Sequence, residues 1–255
     1  MILSIITVVK NGEKQIGQTL DSIVLQNQTN CKLESIICDG GSTDNTLNIA
    51  TKYKEKYMFI SVYSQSDAGI YDAMNKAIKH AHGDYVIFLN AGDTFFSQNT
   101  VDEIINNIVQ KKYPNIIYGN TAVMKNNGTQ KIIKKRFGIH SLIMANMICH
   151  QSIIAQRELF DEYQFDTSFK FCADRDWLYY MYFKKYRICY MNQVICNYDN
   201  SGVSSSDENK THLLTERYNI QSRYCPYFLV INKFIQKITG GLGRLFTLNS
   251  KGVHS

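Results

Sequence analysis

Four mainly apolar runs, residues 3–9, 33–38, 58–63 and 85–89, alternate with helical patterns over 16–26, 45–53, 70–81 and 100–110. The first helical stretch spaces Ile16, Leu20, Ile23 and Val24 along one face. Strands joined by single helices predict an α/β fold with a mostly parallel sheet covered on both faces. In such sheets ligands bind beyond the carboxyl ends of the strands. The second, third and fourth runs are each followed there by a carboxylate: Asp39, Asp67 and Asp93. The fourth is the sharpest, because GDYVIFLNAGD closes a buried strand with a turn of small residues that presents Asp93.

Beyond Pro114 the rhythm changes. Residues 115–118 read as a strand, and 121–124 with 130–134 as a hairpin around Asn126, Asn127 and Gly128. A helix is expected over 174–184, one or two strands over 185–197, a polar loop over 201–209 and a helix over 209–223. The tail over 227–238 is apolar with interspersed lysines, and Gly240, Gly241 and Gly243 break it.

Three carboxylates around one cleft repel one another, and a divalent cation would relieve that cost. Oxygen ligands suit Mg²⁺ or Mn²⁺ together with a diphosphate. Asp39 opens the run DGGSTD, whose Ser42 or Asp44 can cap the next helix, leaving Asp39 to accept from a base or ribose. Asp67 precedes Ala68, Gly69 and a helix start, where it serves as a cap or points into the cleft. Asp174 and Asp176 lie two apart at a helix start, so they point in different directions and cannot share one proton transfer. His150, in CHQS, is either a satisfied structural histidine or a phosphate or substrate contact.

The segments SIITVVKNG, ICDGGSTDNT, SDAGIYDAMNKAI, GDYVIFLNAGD, CHQS and FCADRDW follow one another over roughly residues 2–200. In that order they resemble the family 2 glycosyltransferases, inverting enzymes of the GT-A fold, most closely those building bacterial O-antigen, capsule and other surface polysaccharides. The resemblance implies a catalytic domain over 1–205, with a nucleotide-binding half to about 113 and an acceptor half from about 114, then a helical appendage over 206–255. It implies that Thr7, Val9 and Asp39 line a uridine pocket and that Asp67 lies by the base, ribose or diphosphate. The family's D-x-D motif falls on Ala91, Gly92 and Asp93, so its first aspartate is replaced by Ala91. Asp93 is then the metal ligand for Mn²⁺ or Mg²⁺, with Asn90 placed to compensate toward the sugar or ribose. The family's acceptor-activating base falls on Asp174, with Asp176 as the second choice.

The implied donor is a UDP-sugar, UDP-galactose or UDP-glucose first, and the implied acceptor a saccharide on undecaprenyl diphosphate. Two rival enzymatic or binding readings remain open from the residues alone. A nucleotidyltransferase also binds a nucleoside and a cation, although TVVKNG is poor at gripping a triphosphate. A nucleic-acid-binding or protein-binding module with a degenerate cleft is the other, raised by the basic middle region and by Ala91. No nucleic-acid motif supports it, and nucleic acid is not an expected partner.

The net charge of +6 and the lysines of the tail predict a contact with anionic lipid through 227–246, or a homodimer contact through the same stripe. The longest apolar runs fall short of the roughly 18 residues of a spanning helix. A cytoplasmic protein, peripheral at most, is the expectation. Seven cysteines are scattered without a C-x-x-C pair, and several sit among apolar or aromatic neighbours, which suits small buried thiols.

Overall fold

In strand β1 (Ile2–Val9) Leu3, Ile5 and Val9 enter one hydrophobic core while Ile6 and Val8 enter another. Alternation of side chains along a strand makes this division unavoidable once both faces are covered. The computed structural model describes residues 1–124, 129–138, 141, 148–199, 210–224 and 226. The predicted tail contact over 227–246, the whole of the predicted 201–209 loop and the predicted hairpin turn at Asn126, Asn127 and Gly128 lie outside the described residues.

Helices α1 (Ile16–Val24) and α4 (Thr100–Gln110) fill the first core through Ile16, Leu20, Ile23, Val101, Ile104, Ile105 and Ile108. Helix α2 (Thr46–Lys56) adds Ala50 to it. On the opposite face α3 (Ile70–Ile78) contributes Tyr71, Met74, Ala77 and Ile78. The strands β2 (Lys32–Asp39), β3 (Ile60–Ser64) and β4 (Tyr85–Phe88) pair in parallel around β1, in the order β3-β2-β1-β4. Their carboxyl ends therefore share one rim.

The sheet continues through five further strands, four of them from beyond residue 113. A two-residue strand β5 (Thr94–Phe95), then β6 (Ile116–Met124), β7 (Gln130–Ile133), β8 (Ile153–Gln156) and β9 (Ile188–Tyr198) extend it to nine strands. β6 and β9 run parallel to each other, while β5, β7 and β8 run antiparallel to their neighbours. β5 and β8 were not expected from the sequence, nor was the one-turn helix α5 (Leu159–Glu162). The expected helix over 174–184 is α6 (Ala173–Phe183), and that over 209–223 is α7 (Lys210–Tyr224).

Strand β8 decides the site. It slots between β4 and β6, pairing Ile87 with Ile154 and Tyr85 with Gln156 in antiparallel register. Running opposite to β4, it starts where β4 ends, so the 3-10 turn His150–Ser152 just before it sits beside the NAGD turn. β9 does the same from the other side. Its pairing of Asn197 with Thr94 brings Asp199 to Asp93.

Candidate active site

The NAGD turn is held from several sides. Gly92 adopts a φ of +102, a left-handed conformation that glycine takes without a Cβ clash. Its N–H donates to the Thr19 hydroxyl at 2.9 Å and its carbonyl accepts from Gln18, so α1 clamps the turn from below. Asp93 is 3% exposed. One carboxylate oxygen accepts from the Gln151 amide at 2.8 Å and the other from the Asp199 backbone N–H at 2.9 Å. Burial nevertheless pushes its carboxyl up to about 6, against those two bonds and the His150 ring, with the charge of Asp199 adding to the rise. A Cβ on Gly92 would stand 2.5 Å from Asp199 Oδ2, which places the second carboxylate directly against the turn.

Asp174 lies in the first turn of α6, where the helix field favours an anion. Its Oδ1 accepts from the Tyr71 hydroxyl at 3.0 Å and from the Arg175 N–H at 2.9 Å. Its Oδ2 lies 3.5 Å from His150 Nδ1. The side chain keeps 15% exposure, which leaves it open to a ligand in the cleft. Burial would raise this carboxyl, but the bond and charge of His150, the Tyr71 hydroxyl and the Arg175 N–H hold it below the usual carboxylate range. Asp176, two residues on, faces elsewhere, as the spacing requires. It is fully buried, accepting from the Tyr163 hydroxyl at 2.6 Å and from Arg223 of α7 at 2.9 Å.

The remaining expected residues line the β1–β3 side of the rim. Thr7 is buried and donates its hydroxyl to the Leu89 carbonyl at 2.8 Å, locking β1 to the end of β4. Val9 packs in the core, within 2.6 Å of where a Gly12 Cβ would stand. Asp39 is 1% exposed and accepts from the Gly41 and Ser42 N–H groups and from the Ser64 hydroxyl, so both its oxygens are engaged. Asp67 accepts from the Gly69 N–H at 3.0 Å and leans on Gly40, where a Cβ would come within 2.1 Å of it. Asp39 and Asp67 border one shallow cleft with Cys38, Gln65, Ala73 and Lys76. Another surface hollow, bordered by Met1, Asp84, Tyr113 and Glu158, lies at the opposite edge of the strands, away from every candidate residue.

Three neighbours of the site carried little signal in the sequence. Gln151 and Asp199 reach Asp93 only because β8 and β9 deliver them, and Tyr71 reaches Asp174 across 103 positions of chain. His150 was singled out without a partner, and it touches both halves of the site: Nε2 meets Asn90 Nδ2 at 3.0 Å while Nδ1 faces Asp174. Among the described residues no group of three or more His, Cys, Asp or Glu side chains converges to hold a metal ion.

Comparison with known proteins agrees with this geometry. The chain is 28% identical over 208 residues to a Mycobacterium tuberculosis protein named PGL/p-HBAD biosynthesis glycosyltransferase, covering 80% of this chain and 79% of that one. Its fold matches TarS 1-349 of S. aureus in complex with UDP-GlcNAc at TM-score 0.63 and 20% identity. That match covers 81% of this chain and spans 61% of the TarS chain. It also matches the mannosyltransferase PcManGT of Pyrobaculum calidifontis, in complex with GDP-Man and Mn²⁺, at TM-score 0.62 and 16% identity over 99% of this chain and 81% of that one. Residues 4–178, more than half of the sequence, match the family description Glycosyl transferase family 2. With its largely parallel sheet and the paired rim of β4 and β8, the chain belongs to glycosyl transferase family 2 and has the GT-A fold.

Proposed function

We propose that this protein is an inverting glycosyltransferase that moves a hexose from a UDP-sugar, UDP-galactose or UDP-glucose first, to a hydroxyl of a lipid-linked saccharide in surface-polysaccharide synthesis. Family membership supports a nucleotide-sugar donor. The observation that carries the mechanism is Asp174, a carboxylate held ionised on the rim beside the NAGD turn and still open to the cleft. In the reaction the acceptor oxygen forms a bond to the anomeric carbon as Asp174 takes its proton. The bond from that carbon to UDP breaks on the opposite face, and UDP leaves with the electron pair. One displacement turns an α-linked donor into a β-glycoside.

The residues fit a divalent cation at Asp93 in a limited way. The charge of the neighbouring Asp199 adds to the cost of ionising Asp93, and Gln151 Oε1, without a hydrogen-bond partner among the described residues, lies beside it. Mg²⁺ and Mn²⁺ commonly take one or two carboxylates and complete their shell from substrate phosphates and water. A cation held by Asp93 would supply Lewis-acid stabilisation of the leaving diphosphate. Asp39 and Asp67, on the cleft at the ends of β2 and β3, are assigned to the nucleoside side, with Thr7 and Val9 shaping the strand beneath them. Asn90 is assigned to the sugar side of the turn.

The test is Asp174→Asn, which keeps shape and removes the base. Turnover should fall ~10²–10⁴-fold while UDP affinity holds, and the wild-type product should carry inverted anomeric configuration by NMR. Near-normal turnover in Asp174→Asn, or a retained configuration, refutes the mechanism.

A further inference from the structure

We propose that His150 is a positioning residue that fixes the Asp174 carboxylate and ties it to the Asn90 turn. The inference rests on the reading of Asp174 as the base and assigns what holds that base in register with the donor side of the site.

His150 sits on the 3-10 turn leading into β8, and each ring nitrogen has a different partner. Nε2 lies 3.0 Å from the Asn90 amide nitrogen, and Nδ1 lies 3.5 Å from Asp174 Oδ2. The Tyr71 hydroxyl at 3.0 Å and the Arg175 N–H at 2.9 Å hold the other oxygen. Three elements, the β8 turn, α3 and α6, thus converge on one carboxylate. Removing Tyr71 would leave Oδ1 with its own helix's N–H, whereas removing His150 would leave Oδ2 without a partner among the described residues.

His150 is also the only one of these groups that reaches the NAGD turn, through Asn90. A displacement of about 1 Å in a catalytic group can cost ~10²-fold in rate, so a side chain that spans the donor turn and the base sets their separation. The ring keeps 20% exposure and Asp174 15%, so the pair borders the cleft and is not part of the sealed core. The charged and titratable groups around Asp174 include His150, Tyr71 and Arg175, with the Cys149 and Cys172 thiols near enough to feel its charge, and His150 also acts on Asp93. Burial first, and then the charge of Asp174, keeps the Tyr71 hydroxyl protonated as a donor. His150 is therefore the group whose loss should most change how Asp174 ionises.

Two substitutions separate the ring's contacts. His150→Gln keeps a polar atom near the Nε2 position and drops the contact to Asp174, while His150→Asn keeps one near Nδ1 and drops the link to Asn90. Full-length wild type and both variants would be assayed for kcat with a UDP-sugar and acceptor, for UDP affinity by calorimetry, and for the pH profile of kcat. With a saturating divalent cation to keep Asp93 ionised, His150→Gln should lower kcat about 10- to 100-fold, leave UDP affinity within about twofold, and move the acid limb of the profile to higher pH as Asp174 loses its partner. His150→Asn should keep the acid limb near its wild-type position and lose less kcat. An unchanged kcat and acid limb in His150→Gln overturns the inference, as does a parallel fall of UDP affinity and kcat in both variants. If Asp174→Asn retains turnover, the underlying reading of the base fails instead, which separates the two failures.

Discussion

Asp93 should cost the metal-free protein stability at neutral pH, and the structure sets the size of that cost. Its carboxyl is pushed from the ordinary 3.8 up to about 6, chiefly by burial. At ~1.4 kcal/mol per pH unit, that difference makes the ionised form cost about 3 kcal/mol once the pH is above both values. Because the folded value is the raised one, the group's stabilising contribution is full below about pH 4 and is lost as the pH climbs through about 6. Asp93→Asn removes the charge and keeps the shape. Its carbonyl can accept from the Asp199 N–H, and its new N–H can donate to Gln151 Oε1 once that amide turns over, since this oxygen has no hydrogen-bond partner among the described residues. In EDTA the variant should therefore melt higher than wild type at about pH 8, by several degrees at ~2–4 °C per kcal/mol for a chain of this size. The gap should close near pH 4. Differential scanning calorimetry across that range would measure it. An equal or lower melting temperature at pH 8, or a gap independent of pH, would refute the argument that burial of an ionised Asp93 sets the cost. Such a variant trades function for stability, as engineered active sites often do.

The other predictions are shorter. Arg223→Ala leaves the fully buried Asp176 with the Tyr163 and Tyr224 hydroxyls and no cation to pair with, and the cost should sit near the lower end of ~3–5 kcal/mol because Arg223 is itself 45% exposed; urea unfolding measures it, and a loss under about half a kcal/mol would show the pair to be unimportant. Gly92→Ala should displace Asp199, whose Oδ2 stands 2.5 Å from the added methyl, and weaken UDP affinity in the presence of Mn²⁺ more than in EDTA. Equal affinities in both conditions would remove Asp199 from the cation reading. The full chain should float with anionic vesicles better than a chain ending at Cys225; equal behaviour of the two removes the tail as an anchor.

The first half of the fold was legible because β1 to β4 are buried on both faces and are separated by helices with clear apolar stripes. Ile153 to Gln156 gave no comparable signal. Four residues hold barely one period, and nothing in IIAQ says that it will lie antiparallel in the middle of a largely parallel sheet. β5, with two residues, carried less still. The strand-end carboxylates could be placed from the sequence for the same reason the strands could, and Asp174 from its place at a helix start. Their partners could not. Asn90 and His150 lie 60 positions apart, Gln151 and Asp93 58, and Asp199 and Asp93 106, and each pairing depends on the register of a strand that the sequence left ambiguous or silent. The engagement of Asp39 by its own loop was hidden by the same DGGS segment that drew attention to it. A turn rich in glycine exposes N–H groups, and the nearest carboxylate takes them.

The insertion of β8 between β4 and β6 has a consequence for the order in which this protein is built. Strands β1 to β4 find their neighbours within the first 88 residues, so the first half of the sheet can pair early, from contacts of modest sequence separation. One edge of β4 stays unpaired until residues 153–156 arrive, and Asp93 lacks its backbone donor until residue 199 does. A nascent or truncated chain therefore carries a bare central edge, the kind of surface that recruits foreign strands. The event that covers this edge also carries His150 and Gln151 into place. Protection of that edge and placement of His150 and Gln151 are here one step, with Asp174 and Asp199 still to arrive from further along the chain.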